Sequence, residues 1–441
     1  MSHIASHQLT RRAFLGKTGA AVAALGFPTW IPSSARGADG HTAPSERLNM
    51  AFIGLGGQGA GHLAGGAWTY TPGGYLAIPD VQVRAVCDVV RARRDKATQI
   101  SNRAYAERYG RPDYSDVTAH NDFREVLARP DIDAVVLSLP YQWAAPMSIM
   151  AMRQGKDVYC EKPVAITIQE TVELVATARR HGAIYQGGTQ QRSAYGGKFR
   201  HACELVRNGC LGDLKEVYAW VPPGAYIAPK WNPGAAKPVP EGFDWDLWLG
   251  PLPWQNFERI PNQQLPGWYH GDINWGPHHY DIINWALNPP PDRPVEIEVD
   301  GKVLRYHFSN GVVVHSTPYP KERVGEQGGA VFVGSKGRLA VDRDSLVTYP
   351  RELSRVPHKP GDERLYYSTN HAENFLECIR TRRPTICSPE EAASSARMQI
   401  SGGIALGLNR SLSWDPSALR FIGDEEANRH LSYRPRAPWH I

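Results

Sequence analysis

The fold is decided by the stretch LNMAFIGLGGQG at residues 48–59, in which an apolar run passes directly into a cluster of glycines. The apolar run predicts a buried strand, and the residues after it predict the start of a helix. Gly54 permits the tight turn between them, Gly56 lets the backbone approach a pyrophosphate, and Gly59 allows the helix to pack closely. Because the first N–H groups of a helix attract anions, this turn predicts a dinucleotide-binding site.

The predicted cofactor site extends to Gly57, Gln58 and Asp88. Gly57 and Gln58 lie at the predicted start of the helix. Asp88 ends the next predicted strand, where a carboxylate binds the adenosine ribose hydroxyls and disfavours a 2'-phosphate. NAD is therefore the expected cofactor, with NADP left open because three arginines lie within residues 91–94. The alternative for Asp88 is that it only caps the following helix.

The pattern from residue 48 to about residue 187 alternates short apolar runs with helical stretches, which is typical of βαβ units and a parallel sheet. The runs are continuously apolar, as in strands that are covered on both faces. The predicted strands are residues 48–53, 81–87, 134–139, 157–160 and 183–186. The predicted helices are residues 58–63, 91–109, 123–127, 146–154 and 168–181.

After residue 187 the pattern changes to strands with a period of two, joined by turn dipeptides. One helix is predicted at residues 197–208, and two more at 372–380 and 389–408. The predicted strands are residues 214–220, 295–299, 303–308, 312–317, 329–333 and 338–341. The expected fold is thus an α/β Rossmann domain at residues 45–187, followed by an α+β domain with a large, mostly antiparallel open sheet at residues 188–441.

The composition is that of a folded protein with no nucleic-acid footprint. Hydrophobic residues make up 42% of the 441 residues, and the net charge of +5 is spread among acids rather than forming a basic run. The six Cys residues show no Cys-x-x-Cys spacing, so we predict neither a zinc site nor a dithiol redox centre. No nucleic-acid partner and no bound metal are expected.

The first 38 residues resemble a twin-arginine export signal. Arg11 and Arg12 precede a weakly apolar stretch at residues 18–31 and a small-residue cleavage pattern at residues 33–35. The apolar stretch is too short and too rich in Gly and Ala for a membrane span. The alternative is an amphipathic helix that stays on the protein. The expected location is periplasmic, and this export route suits an enzyme that acquires its cofactor before leaving the cytoplasm.

Lys162 is the first candidate catalytic residue. It belongs to Glu161-Lys162-Pro163, which closes a predicted strand because proline removes a hydrogen-bond donor of the ladder. The lysine therefore lies at the carboxyl edge of the sheet, where ligands bind in open α/β folds. There it could hydrogen-bond a substrate hydroxyl or transfer a proton. The alternative is an exposed surface lysine.

His278 is the second candidate catalytic residue. If a helix begins near Pro277, Asp281 shares a face with His278, and its carboxylate could orient the imidazole. The histidine could then take the proton that an alcohol releases when it loses hydride. The adjacent His279 raises the alternative of a metal site, but no Glu or Cys completes a ligand spacing there.

These motifs, in this order, resemble the Gfo/Idh/MocA family, which includes glucose-fructose oxidoreductase and inositol dehydrogenase. The resemblance runs from about residue 48 to the C-terminus, and Glu-Lys-Pro after the fifth strand is its most specific element. Residues 157–163, 186–193 and 414–424 are similar to an exported branch of the family.

The resemblance implies hydride exchange between a bound nicotinamide and a sugar or cyclitol carbon. In such a reaction Lys162 would contact the reacting hydroxyl and His278 would handle its proton. Pro140, Glu161 and Lys162 itself join the expected cofactor site, with a tightly held NAD. The resemblance also implies a dimer or tetramer, formed through the open face of the second sheet.

Two residues depart from the family pattern. The family often has Asp four residues before the catalytic histidine, where this chain has Asn274, and an amide can orient imidazole without stabilising imidazolium. Relatives often have histidine where this chain has Ala144. The rate and direction of hydride transfer are therefore left open.

The expected substrate is a sugar, a cyclitol or a sugar derivative, held by four residues through stacking and hydrogen bonds: Arg192, Tyr195, Trp275 and Tyr280. Three hypotheses remain open for its fate. The first is an exported oxidoreductase acting on a CH–OH group. The second is a glycoside-cleaving or epimerising enzyme that oxidises the ring transiently, with no net redox change. The third is a non-catalytic protein that binds the cofactor as a stabiliser.

Overall fold

A six-stranded parallel sheet forms the first half of the chain, with the strand order β3-β2-β1-β4-β5-β6. The computed structural model describes residues 43–66, 69–220, 235–258, 275–288, 294–321 and 328–439. The strands of this sheet are β1 (Leu48–Ile53), β2 (Val81–Cys87), β3 (Thr118–His120), β4 (Ala134–Leu137), β5 (Asp157–Glu161) and β6 (Tyr185–Gly188). The strand order changes direction at β1 and β4, which is the crevice where dinucleotides bind in doubly wound sheets.

The burial of these strands explains which of them the sequence predicts. All residues of β4, β5 and β6 are buried, as expected for strands covered on both faces. Strand β3 was not predicted, because it has three residues, none of them buried, and pairs with β2 at the edge of the sheet. A strand so short and polar carries no hydrophobic period.

Five helices belong to this half of the chain: α1 (Gly57–Ala64), α2 (Arg91–Tyr109), α3 (Phe123–Leu127), α4 (Tyr141–Arg153) and α5 (Ile168–His181). Helices α2, α3 and α5 have their predicted ends. Helix α5 begins with a capping box between Thr167 and Glu170 and ends at Gly182, which adopts left-handed φ and ψ.

Helix α4 begins five residues earlier than predicted, with Pro146 inside it. Proline usually marks a helix start, which is why the sequence suggested residue 146. The additional turn is held by tertiary contacts, since Gln142 donates to the Trp248 carbonyl at 2.9 Å and the Trp143 indole donates to the Leu247 carbonyl at 2.8 Å. Packing against a distant segment thus extends the helix.

A nine-stranded sheet forms the second half, with the order β13-β12-β11-β7-β10-β9-β8-β14-β15. The pairing of β10 with β7 is parallel and the other pairings are antiparallel. The predicted mostly antiparallel sheet is confirmed. Its strands are β7 (Leu214–Ala219), β8 (Glu296–Asp300), β9 (Val303–His307), β10 (Val313–His315), β11 (Gly329–Gly334), β12 (Gly337–Asp342), β13 (Leu346–Tyr349), β14 (Leu412–Asp415) and β15 (Arg420–Phe421). The last three, short and at the sheet edges, were not predicted.

The helices of the second half are α6 (Lys198–Arg207), α7 (Trp245–Leu249), α8 (Gly276–Leu287), α9 (His371–Thr381), α10 (Pro389–Leu408) and α11 (Glu425–Asn428). Helix α7 was not predicted as a helix. Residues 48–441 form one compact unit. Helix α9 shares a hydrophobic core with β1, β2 and β4, and Trp439 packs on Trp143 at a ring distance of 4.8 Å. The chain after residue 188 therefore also completes the core of the first sheet.

All six cysteines have free thiols, and five of them are buried as small core residues. The predicted signal at residues 1–38 lies outside the described residues. Within the described part of the chain, no helix combines the length and the apolar character that a bilayer crossing requires.

Candidate active site

A cavity of about 650 Å³ opens at the carboxyl edge of the first sheet and reaches helix α8 of the second half. All nine residues predicted to bind the cofactor line it: Gly54, Gly56, Gly57, Gln58, Gly59, Asp88, Pro140, Glu161 and Lys162. The candidate catalytic His278 and the predicted substrate contacts Tyr195 and Trp275 line it as well. The structure thus brings the three sequence motifs to one space.

The glycine turn has the shape that the sequence predicts. Gly54 has φ of +85°, and a Cβ atom there would lie 2.2 Å from the Ser138 carbonyl oxygen. A Cβ at Gly59 would lie 1.8 Å from the Gly54 oxygen, so the helix can approach the strand only with glycine at this position. A Cβ at Gly57 would meet nothing within 4 Å, because this backbone faces the open cavity. The glycine turn and the start of helix α1 together leave room for a pyrophosphate.

Asp88 holds this turn in place. Its Oδ2 accepts the Leu55 N–H at 2.7 Å, and its Oδ1 accepts the Val90 N–H at 2.8 Å, at the residue that caps helix α2. Burial raises the pKa of Asp88, although the two backbone hydrogen bonds act in the opposite direction. The second bond reaches the residue before helix α2 and none of the N–H groups of the helix itself, so Asp88 does not cap the helix. Since Asp88 also lines the cavity, its contact with ribose hydroxyls stays a prediction.

Glu161 lies at the centre of a buried hydrogen-bond network below the cavity. Its Oε1 lies 2.7 Å from Nε2 of His62 and accepts from the amides of Gln58 at 3.2 Å and Gln190 at 2.5 Å. Burial would raise the pKa of Glu161, but His62, the Lys162 ammonium and Gln58 together hold it below its ordinary value. This carboxylate ties helix α1 to strand β5, and so joins the cofactor turn to the candidate catalytic lysine.

Lys162 and His278 lie within electrostatic range of each other. The side chain of His278 is buried, and its Nδ1 has no hydrogen-bond partner among the residues that the structure describes. Burial, followed by the positive charges of Lys162 and Arg343, lowers the pKa of His278 well below its ordinary value. The imidazole is therefore neutral at physiological pH and can accept a proton.

The structure places Asp281 and Arg192 elsewhere than the sequence predicts. Arg192 donates to both oxygens of Asp281, at 2.7 and 2.9 Å, and Ser395 donates to the same carboxylate at 3.1 Å. Both charged side chains are almost fully buried, and neither lines the cavity. The spacing of three residues does place His278 and Asp281 on adjacent parts of α8, but the buried arginine takes the carboxylate. Asp281 therefore does not orient the imidazole, and Arg192 does not reach the substrate space.

Two further predicted residues are not brought to the cavity. Tyr280 is 2% exposed and packs edge-on against Tyr306 in the core, because almost every side of α8 is covered. Asn274, the possible supporting residue before His278, lies outside the described residues. Its effect on the imidazole stays a prediction.

The cavity also contains residues that the sequence did not indicate, among them Tyr70 and Arg343. The Arg343 guanidinium carbon lies 4.7 Å from the ring centre of Trp275 and 5.1 Å from that of Tyr195, and its Nε donates to Gln191 at 3.0 Å. Tyr70 comes from the stretch between α1 and β2, and its hydroxyl contacts that of Tyr195. No local motif marks them, because four separate segments meet here only in the folded chain.

A glycine turn lies at the crevice of a parallel sheet and shares a cavity with a lysine and with a buried histidine of helix α8. This arrangement defines a two-part dinucleotide-binding protein. Residues 48–189 match the model of an oxidoreductase family with an NAD-binding Rossmann fold, and residues 329–441 match that family's C-terminal alpha/beta domain. The chain belongs to the Gfo/Idh/MocA oxidoreductase family.

Among curated proteins, the chain is 29% identical over 381 residues to an alpha-N-acetylgalactosaminidase of Shewanella oneidensis, covering 78% of this chain and 77% of that protein. It is 28% identical over 221 residues to a glycosyl hydrolase family 109 protein of Shewanella baltica, but this match spans only 47% of the chain and 45% of the relative. An aldose-aldose oxidoreductase of Caulobacter crescentus, solved with glycerol, shares the fold, with a TM-score of 0.51, 18% identity and coverage of 83% and 99%.

Proposed function

We propose that this protein is an NAD-dependent enzyme that exchanges hydride with a CH–OH carbon of a sugar, cyclitol or sugar derivative. The proposal rests on one observation: a buried imidazole and a lysine line the same cavity as the glycine turn. The turn fits a dinucleotide because the Gly57 backbone faces open space. When bound, the nicotinamide supplies the acceptor and donor of hydride.

The protein residues divide the remaining work. Lys162 hydrogen-bonds the reacting hydroxyl and places its carbon for hydride loss. His278 takes the hydroxyl proton at a ring nitrogen, which its lowered pKa keeps unprotonated. Lys162 also contributes to that lowered pKa, so the two groups act as a pair. Tyr195 and Trp275 offer aromatic faces on which a sugar ring can stack.

A second candidate function is cleavage of a glycoside with no net redox change. It is favoured by the name of one relative, an alpha-N-acetylgalactosaminidase, which aligns with 78% of the chain. In this version oxidation at one ring carbon acidifies its neighbour, so that the leaving group departs by elimination. Water then adds to the resulting double bond, and the oxidised carbon is reduced again to restore the sugar. His278 or Lys162 would remove the acidified proton. The same proposal includes NADP as the cofactor in place of NAD. It also includes epimerisation of the sugar in place of cleavage.

The purified protein separates these functions. Heat-released nucleotide is identified first, and the protein is then incubated with free sugars and with aryl glycosides. Formation of NADH with an oxidised sugar supports net oxidation, whereas release of the aryl alcohol without NADH supports cleavage. Absence of both nucleotide and NAD affinity would rule out both enzymatic functions. Bound nucleotide without turnover of either substrate class would support the third hypothesis, a non-catalytic protein that binds the cofactor as a stabiliser.

Lys162→Ala tests the assigned role directly. We expect turnover to fall by about 10²-fold or more, because the reacting hydroxyl loses its hydrogen bond, while NAD affinity changes little. The matched control is Lys302→Ala, which removes an exposed lysine from the turn between β8 and β9. Steady-state kinetics and NAD titration of both variants measure the effect. Unchanged turnover in Lys162→Ala would refute the role of this lysine.

We further propose that the mature protein is periplasmic and carries its nucleotide tightly bound through twin-arginine export. The support is the Arg11-Arg12 motif with its apolar stretch. Because free nicotinamide is scarce outside the cytoplasm, a retained cofactor would have to be reoxidised or reduced in place. A homo-oligomer through the open face of the second sheet belongs to the same proposal. Fractionation and light scattering test location and oligomer size.

A further inference from the structure

A second cluster of functional side chains lies outside the cavity, on helix α6. His201 and Glu204 are three residues apart on this helix and so share one face. His358 approaches them from the segment that follows the 3-10 turn Arg351–Arg355. One ring nitrogen of each histidine and one oxygen of Glu204 all lie within 4.8 Å of one another. None of the three residues lines the cavity.

The outer nitrogens of both histidines have protein partners. His201 donates from Nε2 to the Ser354 carbonyl at 3.0 Å, which leaves its Nδ1 as the nitrogen with a free lone pair. On His358, Nδ1 lies 3.9 Å from Oδ2 of Asp362, and Nε2 lies 3.4 Å from Oε2 of Glu204. Metal-binding histidines show the arrangement seen at His201, in which a carbonyl holds the other ring nitrogen and sets the tautomer, while Asp362 lies near the outer nitrogen of His358 without a hydrogen bond.

The carboxylate of Glu204 is also fixed from outside the cluster. Its side chain is 1% exposed, and its Oε1 accepts from Arg200 at 2.5 Å and from the Leu365 N–H at 3.0 Å. These two donors occupy one oxygen and orient the other, Oε2, toward His358. The Arg200 guanidinium thus pairs with this buried carboxylate.

We propose that His201, Glu204 and His358 form a binding site for a divalent transition metal, with Zn²⁺ as the best match. Two imidazole nitrogens and one carboxylate oxygen suit Zn²⁺ rather than Mg²⁺ or Ca²⁺, which prefer oxygen ligands alone. A tetrahedral Zn²⁺ needs its ligands closer together than 4.8 Å. The contraction is feasible because the side chain of His358 is 30% exposed and can change rotamer. Water completes the fourth position, because Asp362 lies beside the outer nitrogen of His358.

The metal would stabilise the fold by pinning a long connection. The residues between the 3-10 turn and helix α9 contact α6 through polar groups such as Glu363, which pairs with Arg207 and whose carbonyl accepts from Asn208. A metal bound to both parts resists the separation of this segment from the helix. Because none of the three residues lines the cavity, occupancy of the site should change thermal stability and leave the chemistry of the cavity intact.

The test uses the full chain without a histidine purification tag, stripped of metal by a chelator. We expect one Zn²⁺ per chain by calorimetry and by elemental analysis after gel filtration, together with a rise in Tm on adding ZnSO₄. Co²⁺ in place of Zn²⁺ should give the visible absorption of a tetrahedral site. Less than about a tenth of an equivalent of bound Zn²⁺ would overturn the proposal.

Variants assign the bound metal to this cluster. His358→Ala should weaken Zn²⁺ binding by about 100-fold or more, and Asp362→Asn, which alters only the outer partner, by about 10–100-fold. The matched control is His307→Ala, which removes a half-exposed histidine that pairs with Glu298 on the sheet and should leave Zn²⁺ binding unchanged. Zn²⁺ uptake that persists in His358→Ala, or that is lost in His278→Ala instead, would refute the site.

Discussion

The two ends of the cavity are built in different ways. The nucleotide end comes from residues close together in sequence, since Gly54, Gly59 and Gln58 follow directly from strand β1. The other end is assembled from residues far apart in the chain, such as Tyr70, His278 and Arg343. A contiguous turn specifies a shape through backbone sterics, whereas the distant residues meet only because two sheets pack together. Substitutions should therefore act differently at the two ends.

The largest effect is expected from His278→Asn, at the end assembled from distant segments. Turnover should fall by about 10²–10⁴-fold, the usual contribution of a general base, while NAD binding and Tm change little. The wild-type pH profile sharpens this prediction. Because burial and the charges of Lys162 and Arg343 hold the pKa of His278 well below its ordinary value, the unprotonated form persists as the pH falls through 6.5.

The rate should therefore stay level through that pH and decline only in more acidic solution. The measurement is kcat/KM of the wild type from pH 5 to pH 8, with the substrate identified in the incubations proposed above. The kcat of the variant is measured at one pH. A titration of the rate centred near pH 6.5 would mean that the imidazole is exposed to water in the active form, which would contradict the site geometry.

The next effect is expected from Asp281→Asn, one turn further along α8 in the core. This change takes the bidentate partner from the buried Arg192 guanidinium and leaves it only Glu391, at 2.9 Å. Losing one partner of a buried pair costs up to about 3–5 kcal/mol of unfolding free energy, and the remaining carboxylate places the expected cost at the lower end. Turnover of the folded fraction should be close to that of the wild type, because Asp281 does not contact the imidazole. Urea unfolding and kinetics below the transition measure the two quantities.

The control for this variant is Glu107→Gln, which breaks an exposed pair with Arg103 on helix α2. Such pairs contribute less than about 1 kcal/mol. If Asp281→Asn instead kept its stability and lost its turnover, the carboxylate would be acting on the histidine, as its spacing in the sequence suggested.

The contrast between the two ends also explains how much the sequence predicts. The parallel sheet, the glycine turn, Lys162 and His278 were predicted because each belongs to a local pattern: a continuous apolar run, a strand-turn-helix junction, a strand-ending proline and a helix start. Arg192 was misplaced because one-dimensional spacing cannot show that a guanidinium points into the core. Arg343 was missed because nothing distinguishes a turn arginine between β12 and β13 from a surface one.

The smallest effect, and the sharpest test of the contiguous end, is expected from Gly59→Ala compared with Gly57→Ala. A Cβ at Gly59 would lie 1.8 Å from the Gly54 oxygen, a backbone atom that no side-chain rotation can move away. The helix must shift, at a cost of about 1–3 kcal/mol in stability. NAD affinity should fall as well, since the turn opens.

Gly57→Ala should keep the stability of the wild type, because its Cβ meets nothing within 4 Å. Thermal unfolding and NAD titration of the two variants are compared side by side. Equal stability for both would mean that the turn is not packed against strand β1, and the two ends of the cavity would then tolerate change alike.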